Sequence, residues 1–464
     1  MKKLGVVITD GVGYRNFILS DFIKESIGKF DEVVIFSCLP EHVYLELNFP
    51  CKIVELDVFE EPFKTWFFRK AKEVSHLQLH SADNFGISDN LKANYSRSKN
   101  PRGMATRFIF KWSKYINSEN WILRYNLWQQ KTFKSNPVTL KYKQLLKEHG
   151  IDLLFFTHQR PPYIAPMIYA AEQLKIKTAA FIFSWDNLAS KGRMAGNFNY
   201  YLVWSDLMKT ELLHFYKSVK QHTVKVVGTP QFEPYVLQRY GMSEAAFYQK
   251  FKLDASKPTV LFSCGDVSTS PNDPLYIETI AKAILENEIV KPVNLLIRTS
   301  PAEEPSRFEA LANNYPFIVW NYPDWKQARS RHQESWSQRI PSVQDVTDLK
   351  SVLQYSSVNV NMLSTMSLDS MLFNKPVVNT VFGNPDNKLA HDQRFLNYAH
   401  IKKVVDSNAV RIAKSPQELI SAINESLFHP ENKLIEQKKL IDLQIGRPLE
   451  GTSERIAQTL LNLL

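Results

Sequence analysis

Short apolar runs alternate with longer amphipathic stretches along most of the chain, and this rhythm limits the possible folds more than any other feature. The first run, residues 3–9, is rich in β-branched side chains and ends in Asp10-Gly-Val-Gly13, which predicts a buried strand and a tight turn. A helix is predicted over 16–29 and further strands over 33–37 and 52–56. Buried strands separated by helices are typical of a parallel sheet covered on both faces, so we expect an α/β fold.

The alternation breaks off after residue 59, resumes at residue 140 and then repeats as a second series. The first series has predicted strands at 151–157, 177–183, 200–204 and 224–227 and helices at 140–149, 166–174 and 206–216. The second has predicted strands at 258–263, 293–297, 318–320, 358–361, 376–379 and 403–405 and closes with helices at 415–427 and 453–464. A chain of 464 residues is long enough for two domains with cores of their own. We predict two doubly wound, Rossmann-like domains at 1–230 and 257–440, a linker at 231–256 and a C-terminal helix at 441–464.

The break at 59–138 is predicted to be a basic, aromatic-rich helical insertion in the first domain. Residues 60–150 contain 17 lysines and arginines against seven acidic residues, an excess equal to the formal net charge of +10 for the whole chain. Helices are predicted over 106–115 and 121–133, with a polar loop over 81–102. Such a surface could lie on an anionic membrane, bind nucleic acid through stacked aromatics, or be an ordinary solvated face.

The cysteines and the hydropathy of the chain favour a cytoplasmic protein. Cys38, Cys51 and Cys264 are too few and too far apart for a disulfide framework or a zinc site. The apolar run at residues 4–8 is too short for a signal peptide, and no segment reaches membrane-spanning length. We therefore expect reduced thiols, no metal and a cytoplasmic location.

Polar residues follow three predicted strands of the second domain. Ser364 and Thr365 stand between a buried strand and an apolar helix that contains Ser367 and Asp369. Hydroxyls and free backbone N–H groups at a helix start can hold a phosphate, and Asp369 would accept a hydrogen bond from a ribose hydroxyl. The alternative is that these residues only cap the helix.

Two further strand ends complete this predicted phosphate site. Gly265, Asp266 and Ser268 follow the first strand of the second domain, and their amides and hydroxyls suit a diphosphate. Arg298 ends the next strand, where a forked cation can neutralise phosphate charge, although a single arginine at such a position can also be purely structural.

Three short segments resemble the GT-B glycosyltransferases, a group that includes the non-hydrolysing UDP-N-acetylglucosamine 2-epimerases and the CDP-glycerol glycerophosphotransferases. They are Arg298-Thr-Ser-Pro301, Ser364-Thr-Met-Ser-Leu-Asp369 and Gly228-Thr-Pro-Gln-Phe-Glu233. The resemblance implies two domains facing across a cleft, an acceptor in the first and a nucleotide-sugar donor in the second. It also implies no cofactor and no metal, and a UDP-sugar is the expected donor.

The first domain would supply the general base. Asp186 is the leading candidate for taking the proton of an acceptor hydroxyl, with Asn187 and Lys191 beside it to contact acceptor or phosphate. Asp186 and Asn187 could equally just cap a helix. Asp10, with Arg15 nearby, is the competing base, and His158 at the end of a predicted strand is a third.

Together these features predict a glycosyltransferase of surface polysaccharide or lipopolysaccharide biosynthesis that acts on a glycan or a lipid-linked acceptor. With such an activity, a peripheral position on an anionic membrane is favoured for the basic insertion, and nucleic acid is an unlikely partner. The alternatives are a sugar-nucleotide epimerase or polyol-phosphate transferase of the same fold, and a non-catalytic nucleic-acid-binding protein.

Overall fold

A computed structural model describes residues 1–47, 50–332, 334–386 and 388–464. The chain divides into two compact units, each made of segments that are not contiguous in sequence. The first unit comprises Met1–Glu233, Gln327–Ile340 and Gln444–Leu464, and the second comprises Pro234–Lys326 and Pro341–Leu443.

The described residues of the first unit form a parallel sheet in the order β3-β2-β1-β4-β5-β6-β7. The strands are β1 (Lys3–Ile8), β2 (Glu32–Ser37), β3 (Lys52–Glu55), β4 (Leu153–Phe156), β5 (Lys177–Phe181), β6 (Tyr200–Val203) and β7 (Val224–Val226). Strand β1 pairs with β2 on one side and β4 on the other, so Leu4 lies opposite both Val33 and Leu153. Every residue of β4 is buried because helices cover both faces, which is why this strand reads as a continuous apolar run.

Ten helices are described in the first part of the chain, and four of them make up the insertion. They are α1 (Gly11–Phe17), α2 (Phe22–Ile27), α3 (Phe63–His80), α4 (Phe85–Ala93), α5 (Pro101–Ser113), α6 (Glu119–Lys131), α7 (Pro137–His149), α8 (Ala165–Gln173), α9 (Asn187–Ser190) and α10 (Asp206–Phe215). Helix α3 packs against α4, α5 and α6. The insertion has a small core of its own, formed by Ala71, Val74, Ile109, Phe110 and Tyr125.

One helix prediction and one loop prediction in this half are wrong. The single helix expected over 16–29 is two helices, and the first begins earlier because the Asp10 side chain caps it at the Gly13 N–H. The polar loop expected over 81–102 contains α4, which forms because Asn84 accepts a hydrogen bond from the Ile87 N–H and Ile87 is buried.

The second unit contains a parallel sheet in the order β10-β9-β8-β13-β14-β15. The later strands of the chain are β8 (Thr259–Ser263), β9 (Asn294–Arg298), β10 (Val319–Asn321), β11 (Trp325–Gln327), β12 (Arg339–Pro341), β13 (Val358–Asn361), β14 (Val377–Thr380) and β15 (Arg411–Ala413). The later helices are α11 (Glu244–Phe251), α12 (Asp273–Leu285), α13 (Glu309–Asn314), α14 (Val343–Tyr355), α15 (Met366–Met371), α16 (Ala399–Asp406), α17 (Pro416–Phe428), α18 (Leu434–Ile445) and α19 (Thr452–Leu461). Short 3₁₀ helices lie at Glu41–Leu47, Pro162–Ile164, Gln221–Thr223, Glu233–Tyr235, Gln238–Tyr240, Pro305–Phe308, Ser335–Gln338 and Gln393–Asn397.

The strand predicted over 403–405 is wrong, because these residues lie within helix α16. Ile401 and Val404 are buried at a spacing of three while Lys402 and Lys403 are exposed, which is the period of a helix with one apolar face. The edge strand of this sheet is β15, a few residues further along the chain.

Residues 327–340 leave the second unit and belong to the first, although the sequence places them in the middle of the second series of elements. Strands β11 and β12 pair with each other at the two ends of this segment. Within the first unit, Arg329 forms an ion pair with Glu55. A Cβ atom on Gly11 would lie 1.6 Å from the backbone oxygen of Arg339, so only glycine allows the segment to pack against the start of α1.

The predicted fold class is confirmed: the chain has two doubly wound α/β units with parallel sheets, and the first carries a helical insertion. The acceptor and donor roles of the two halves stay predictions.

Candidate functional site

The site in the first unit lies where the strand order of the sheet reverses direction. The chain runs outward from β1 to β2 and β3, and then returns to place β4 on the other side of β1. The loops that follow β1 and β4 therefore diverge and leave a crevice at the carboxyl edge of the sheet, where ligands bind in open α/β folds. Asp10 follows β1 and His158 follows β4, so two of the three candidate bases meet at this point.

Asp10 and His158 form a buried hydrogen-bonded pair. The Nδ1 atom of His158 lies 2.8 Å from Oδ2 of Asp10. The Asp10 carboxylate also accepts from the Gly13 N–H and the Thr9 hydroxyl, each at 2.8 Å. Burial by itself raises the pKa of Asp10, but the hydrogen bond and charge of His158, with the Gly13 and Thr9 donors, hold that pKa below its ordinary value. Asp10 is thus a carboxylate that can only accept.

His158 is held in one orientation. Its ring stacks on Phe183 with a centroid distance of 3.8 Å and an interplanar angle of 13°. Burial lowers the pKa of His158, and the opposing effect of Asp10 does not restore it to its ordinary value. The neutral ring donates its Nδ1–H to Asp10, because a carboxylate can only accept, and Nε2 is left with a free lone pair. This is the arrangement of a proton acceptor.

His158 is in the wall of an open cavity of about 770 Å³. The insertion, the residues after β4 and the 327–340 segment all contribute to this wall. The lining residues are Glu60, Glu61, Trp66, Arg69, Lys70, Glu73, Asn94, Arg102, His158, Arg160, Pro161, Pro162, Glu334 and Trp336.

Two of the lining carboxylates share one cation. Arg69 binds both Glu61, with Nε to Oε1 at 2.7 Å, and Glu73, with Nη1 to Oε1 at 2.8 Å. Burial is the main reason that the pKa of Glu334 rises to about 7, and the nearby charge of Asp10 adds to it. A substantial fraction of Glu334 is therefore protonated near neutral pH.

Three lining cations have no such partner. Within the described ranges, no carboxylate lies within ion-pair distance of Lys70, Arg102 or Arg160. Lys70 donates to Asn94 Oδ1 at 2.6 Å, and Arg102 lies over the Trp66 ring with 5.4 Å between guanidinium carbon and centroid. The Nε atom of Arg160 is buried and has no hydrogen-bond partner. The cavity thus offers cations and an indole ring beside a proton acceptor.

The other residues predicted for the first domain lie after β5 and on α1, and the charge of Asp186 still acts on the pKa of His158. Lys191 Nζ lies 3.5 Å from Asp186 Oδ2, and Asn187 donates to Asp186 Oδ1 at 3.1 Å. Arg15 donates to its neighbour Asn16. None of Asp186, Asn187, Lys191 or Arg15 is among the residues that line the cavity, and their catalytic and acceptor roles stay predictions.

In the second unit the strand order reverses between β8 and β13, so the loops after these strands flank the corresponding crevice. Gly265, Asp266 and Ser268 lie in the first of these loops, and Ser364 and Thr365 lie in the second. Ser364 and Thr365 are half-buried and reach the surface of the unit. The neighbouring Leu363 has a φ of 51°. This backbone value is uncommon for a branched residue, and residues with such values are often found at functional sites.

The polar groups of these loops already bind one another. The Gly265 N–H donates to Asp273 at 2.9 Å, and the Ser268 N–H donates to Asp266 at 2.9 Å. The Ser364 N–H donates to the side chain of Asn361 at 2.9 Å. Binding of a diphosphate here stays a prediction, and it requires that these N–H groups exchange their present acceptors for the ligand.

The remaining predicted donor residues are buried within the second unit. Arg298 forms a two-pronged pair with Asp345, with Nη2 at 2.9 Å from both oxygens, and also donates to Asn321. Asp369 accepts from the Tyr235 hydroxyl. Ser367 joins a buried amide network in which it donates to Asn361 at 3.1 Å. Their contacts to phosphate and ribose stay predictions.

Sequence reasoning missed most of the cavity wall. Arg160 could have been found, because it comes two residues after His158 at the end of a predicted strand. Glu334 and Trp336 carry no local signal, since their segment is far along the chain and joins the first unit only in the folded protein.

Within the described ranges, no cluster of three or more histidine, cysteine or acidic residues is placed to hold a metal ion. The same residues include no helix that is both long and apolar enough to cross a bilayer. The three cysteines are free thiols.

Comparison with known proteins shows the fold. No protein-family model and no curated protein matches the sequence. Among solved structures, the UDP-GlcNAc 2-epimerase of Methanocaldococcus jannaschii is similar, with a TM-score of 0.53 at 10% identity over 99% of both chains. The UDP-GlcNAc 2-epimerase of Neisseria meningitidis, solved with UDP-GlcNAc, has a TM-score of 0.51 at 12% identity over 100% of both chains. A glycosyltransferase of Rickettsia africae has a TM-score of 0.52 at 11% identity over 100% of this chain and 98% of its own. The chain therefore has a GT-B-like fold.

Proposed function

We propose that this protein is a nucleotide-sugar glycosyltransferase in which His158 and Asp10 deprotonate an acceptor hydroxyl held in the cavity of the first unit. The observation that carries the proposal is the buried Asp10–His158 pair, which leaves one ring nitrogen free in the wall of a cavity of about 770 Å³. A histidine general base commonly has one partner that orients the neutral imidazole and stabilises its charged form, and a second nitrogen that is free to take the proton.

In the proposed reaction, the acceptor oxygen forms a bond to the anomeric carbon of the donor sugar. Its proton passes to Nε2 of His158. The bond between the anomeric carbon and the diphosphate breaks, and its electron pair leaves with the diphosphate. The Asp10 carboxylate stabilises the imidazolium that forms, which is the main contribution of a buried acidic partner.

The proposed acceptor carries phosphate. Lys70, Arg102 and Arg160 line the cavity and have no carboxylate within ion-pair distance among the described residues, so a phosphate group could form ion pairs with them. The indole of Trp66 adds an apolar surface on which a sugar ring could pack. A lipid-linked sugar diphosphate combines these chemical features with a free hydroxyl.

The donor is proposed to bind the second unit at the loops after β8 and β13. A UDP-sugar is the first donor to test, because a solved neighbour of this fold is described as bound to UDP-GlcNAc. Independence of divalent metal is a further part of the proposal and is tested by adding a chelator.

The proposal is tested by incubating the protein with UDP-, GDP-, CMP- and dTDP-sugars and a lipid extract, and by following the products by mass spectrometry. We expect one of the UDP-, GDP- or dTDP-sugars to yield a nucleoside diphosphate and an acceptor heavier by one sugar, with or without chelator. Calorimetry with the same donors reports binding separately. Failure of every donor to bind would refute the proposal.

A second candidate function is a sugar-nucleotide epimerase, favoured because UDP-GlcNAc 2-epimerases share this fold over the full chain. The same assay separates the two. An epimerase releases an isomer of the donor, of unchanged mass, without any acceptor.

A further inference from the structure

Helix α5 of the insertion exposes large apolar side chains on the face that points away from the insertion core. Met104, Phe108 and Trp112 are spaced by four residues, so they lie in one stripe, and their exposed fractions are 54%, 53% and 44%. Tyr115, just beyond the helix end, is 89% exposed. The opposite face is already packed, because Ile109 and Phe110 belong to the small core of the insertion. The helix is held by these core residues and by the hydrogen bond from Trp112 to Tyr125, so the exposed side chains of Met104 and Phe108 are not needed to hold it in place.

The stripe lies in the most basic part of the chain. Residues 90–118 contain seven lysines and arginines and no acidic residue. These are Lys92, Arg97, Lys99, Arg102, Arg107, Lys111 and Lys114. Lys111 and Lys114 are exposed, and no carboxylate in the described ranges pairs with them. At about 100° per residue, Lys111 lies about 60° from Phe108 around the helix, so cations border the apolar stripe.

We propose that the outer face of α5 docks in the plane of an anionic lipid bilayer. The side chains of Met104, Phe108 and Trp112 would enter the boundary between headgroups and acyl chains, and the flanking lysines and arginines would contact lipid phosphates. This combination of an apolar stripe and bordering cations is the one that an interfacial helix requires. The proposal does not depend on the reaction proposed above.

The packing of the rings favours a bilayer over a nucleic acid. Phe108 and Trp112 lie against each other with centroids 5.7 Å apart, and the Trp112 ring N–H is bound to the Tyr125 hydroxyl at 2.9 Å. The two rings are thus paired with each other at a tilt of 37° and are not spaced as the successive stacking platforms along a strand that single-strand-binding proteins use. Met104 extends the stripe with a side chain that has no stacking face.

The test is flotation of the full chain with vesicles of phosphatidylcholine alone and with vesicles of equal parts phosphatidylcholine and phosphatidylglycerol. We expect binding only to the anionic vesicles and release in about 1 M NaCl, where charges are screened beyond about 3 Å. Each cation near an anionic surface contributes about fivefold to the partition coefficient, so K111E/K114E should bind at least about 25-fold more weakly. Phe108→Ser should bind about tenfold more weakly, because a buried aromatic side chain is lost from the interface.

Matched controls come from α18 in the second unit. Lys438 and Lys439 are exposed, and Ile435 is 66% exposed. K438E/K439E changes the net charge as much as K111E/K114E does, and Ile435→Ser removes a comparable exposed apolar group. Both should bind as the parent does, with all variants checked for unchanged thermal unfolding.

Equal loss in the control variants, binding to neutral vesicles to the same extent, or no binding to anionic vesicles at low salt would overturn the proposal. Tighter binding to random RNA or DNA than to anionic vesicles, lost in K111E/K114E, would overturn it in favour of a nucleic-acid partner.

Discussion

The substitution Asp10→Asn tests the proposed base most directly, because it keeps the shape of the side chain and removes its charge. The Gly13 N–H donates to Oδ1 of Asp10, so the amide oxygen of the variant is expected to stay there. The amide NH₂ then takes the place of Oδ2, 2.8 Å from Nδ1 of His158. Since NH₂ can only donate, Nδ1 must accept, and the ring proton moves to Nε2. Nε2, the proposed proton acceptor, can then no longer take a proton.

General-base catalysis typically contributes about 10²- to 10⁴-fold, which corresponds to about 3–5 kcal/mol of activation free energy. We therefore expect kcat to fall by about 10²- to 10⁴-fold in Asp10→Asn, with donor affinity measured by calorimetry unchanged. The exposed Asp152, which accepts from the Lys3 N–H at 2.9 Å, provides the control Asp152→Asn, for which kcat should be unchanged. Full kcat in Asp10→Asn would refute the assignment of this pair as the base.

The pH profile provides a second readout of the same pair. His158 acts as a base only when neutral, and its pKa lies below the ordinary value of 6.5. Activity of the parent should therefore be lost as the pH falls through this lowered pKa, with the midpoint of kcat/KM below pH 6.5. In Asp10→Asn the pKa of the His158 ring, followed by NMR of the ring protons, should lie lower still, because the charge that stabilises the imidazolium is gone. A pKa that does not move would contradict the pairing.

Three further substitutions test the packing and the charges. Gly11→Ala places a Cβ atom 1.6 Å from a backbone oxygen, so the free energy of unfolding in a urea titration should fall by about 1–3 kcal/mol. His76 is buried with both ring nitrogens unpartnered, and burial holds its pKa well below 6.5. The parent should lose stability as the pH falls below 6.5, because the unfolded chain then binds a proton that the folded chain excludes. In thermal unfolding over the same pH range, His76→Phe should lose less stability than the parent. Arg298→Ala leaves the Asp345 carboxylate buried without its cation, which should cost about 3–5 kcal/mol of stability, and donor affinity by calorimetry should also fall.

Each of these three has a distinguishing control or outcome. Gly28→Ala meets no atom nearer than 3.7 Å and should leave stability unchanged or slightly higher. His429→Phe replaces a histidine whose side chain is 62% exposed. The stability of this variant should depend on pH in the same way as that of the parent. A folded Arg298→Ala protein with parental donor affinity would show that the arginine is only structural.

The elements of the fold were largely predictable because their signals are local. The buried strand β13 is a short segment with alternating valines between two helices, and its predicted bounds, 358–361, are those of the structure. The predictions failed where the spacing of apolar residues in a short segment fits both a strand and a helix. Residues 403–405 were predicted as an edge strand, yet they are helical because a helix buries Ile401 and Val404 on one face.

The sequence by itself determined the two series of strands and helices and the presence of Asp10 and His158 at strand ends, because these depend on neighbouring residues. Only the tertiary structure decided which groups meet. His158 is 148 positions from Asp10, and Arg298 is 47 positions from the Asp345 that binds it. Glu334 and Trp336 reach the cavity because their segment crosses into the first unit. Such pairings depend on how sheets and distant segments of the chain pack together. A local sequence pattern therefore cannot predict them.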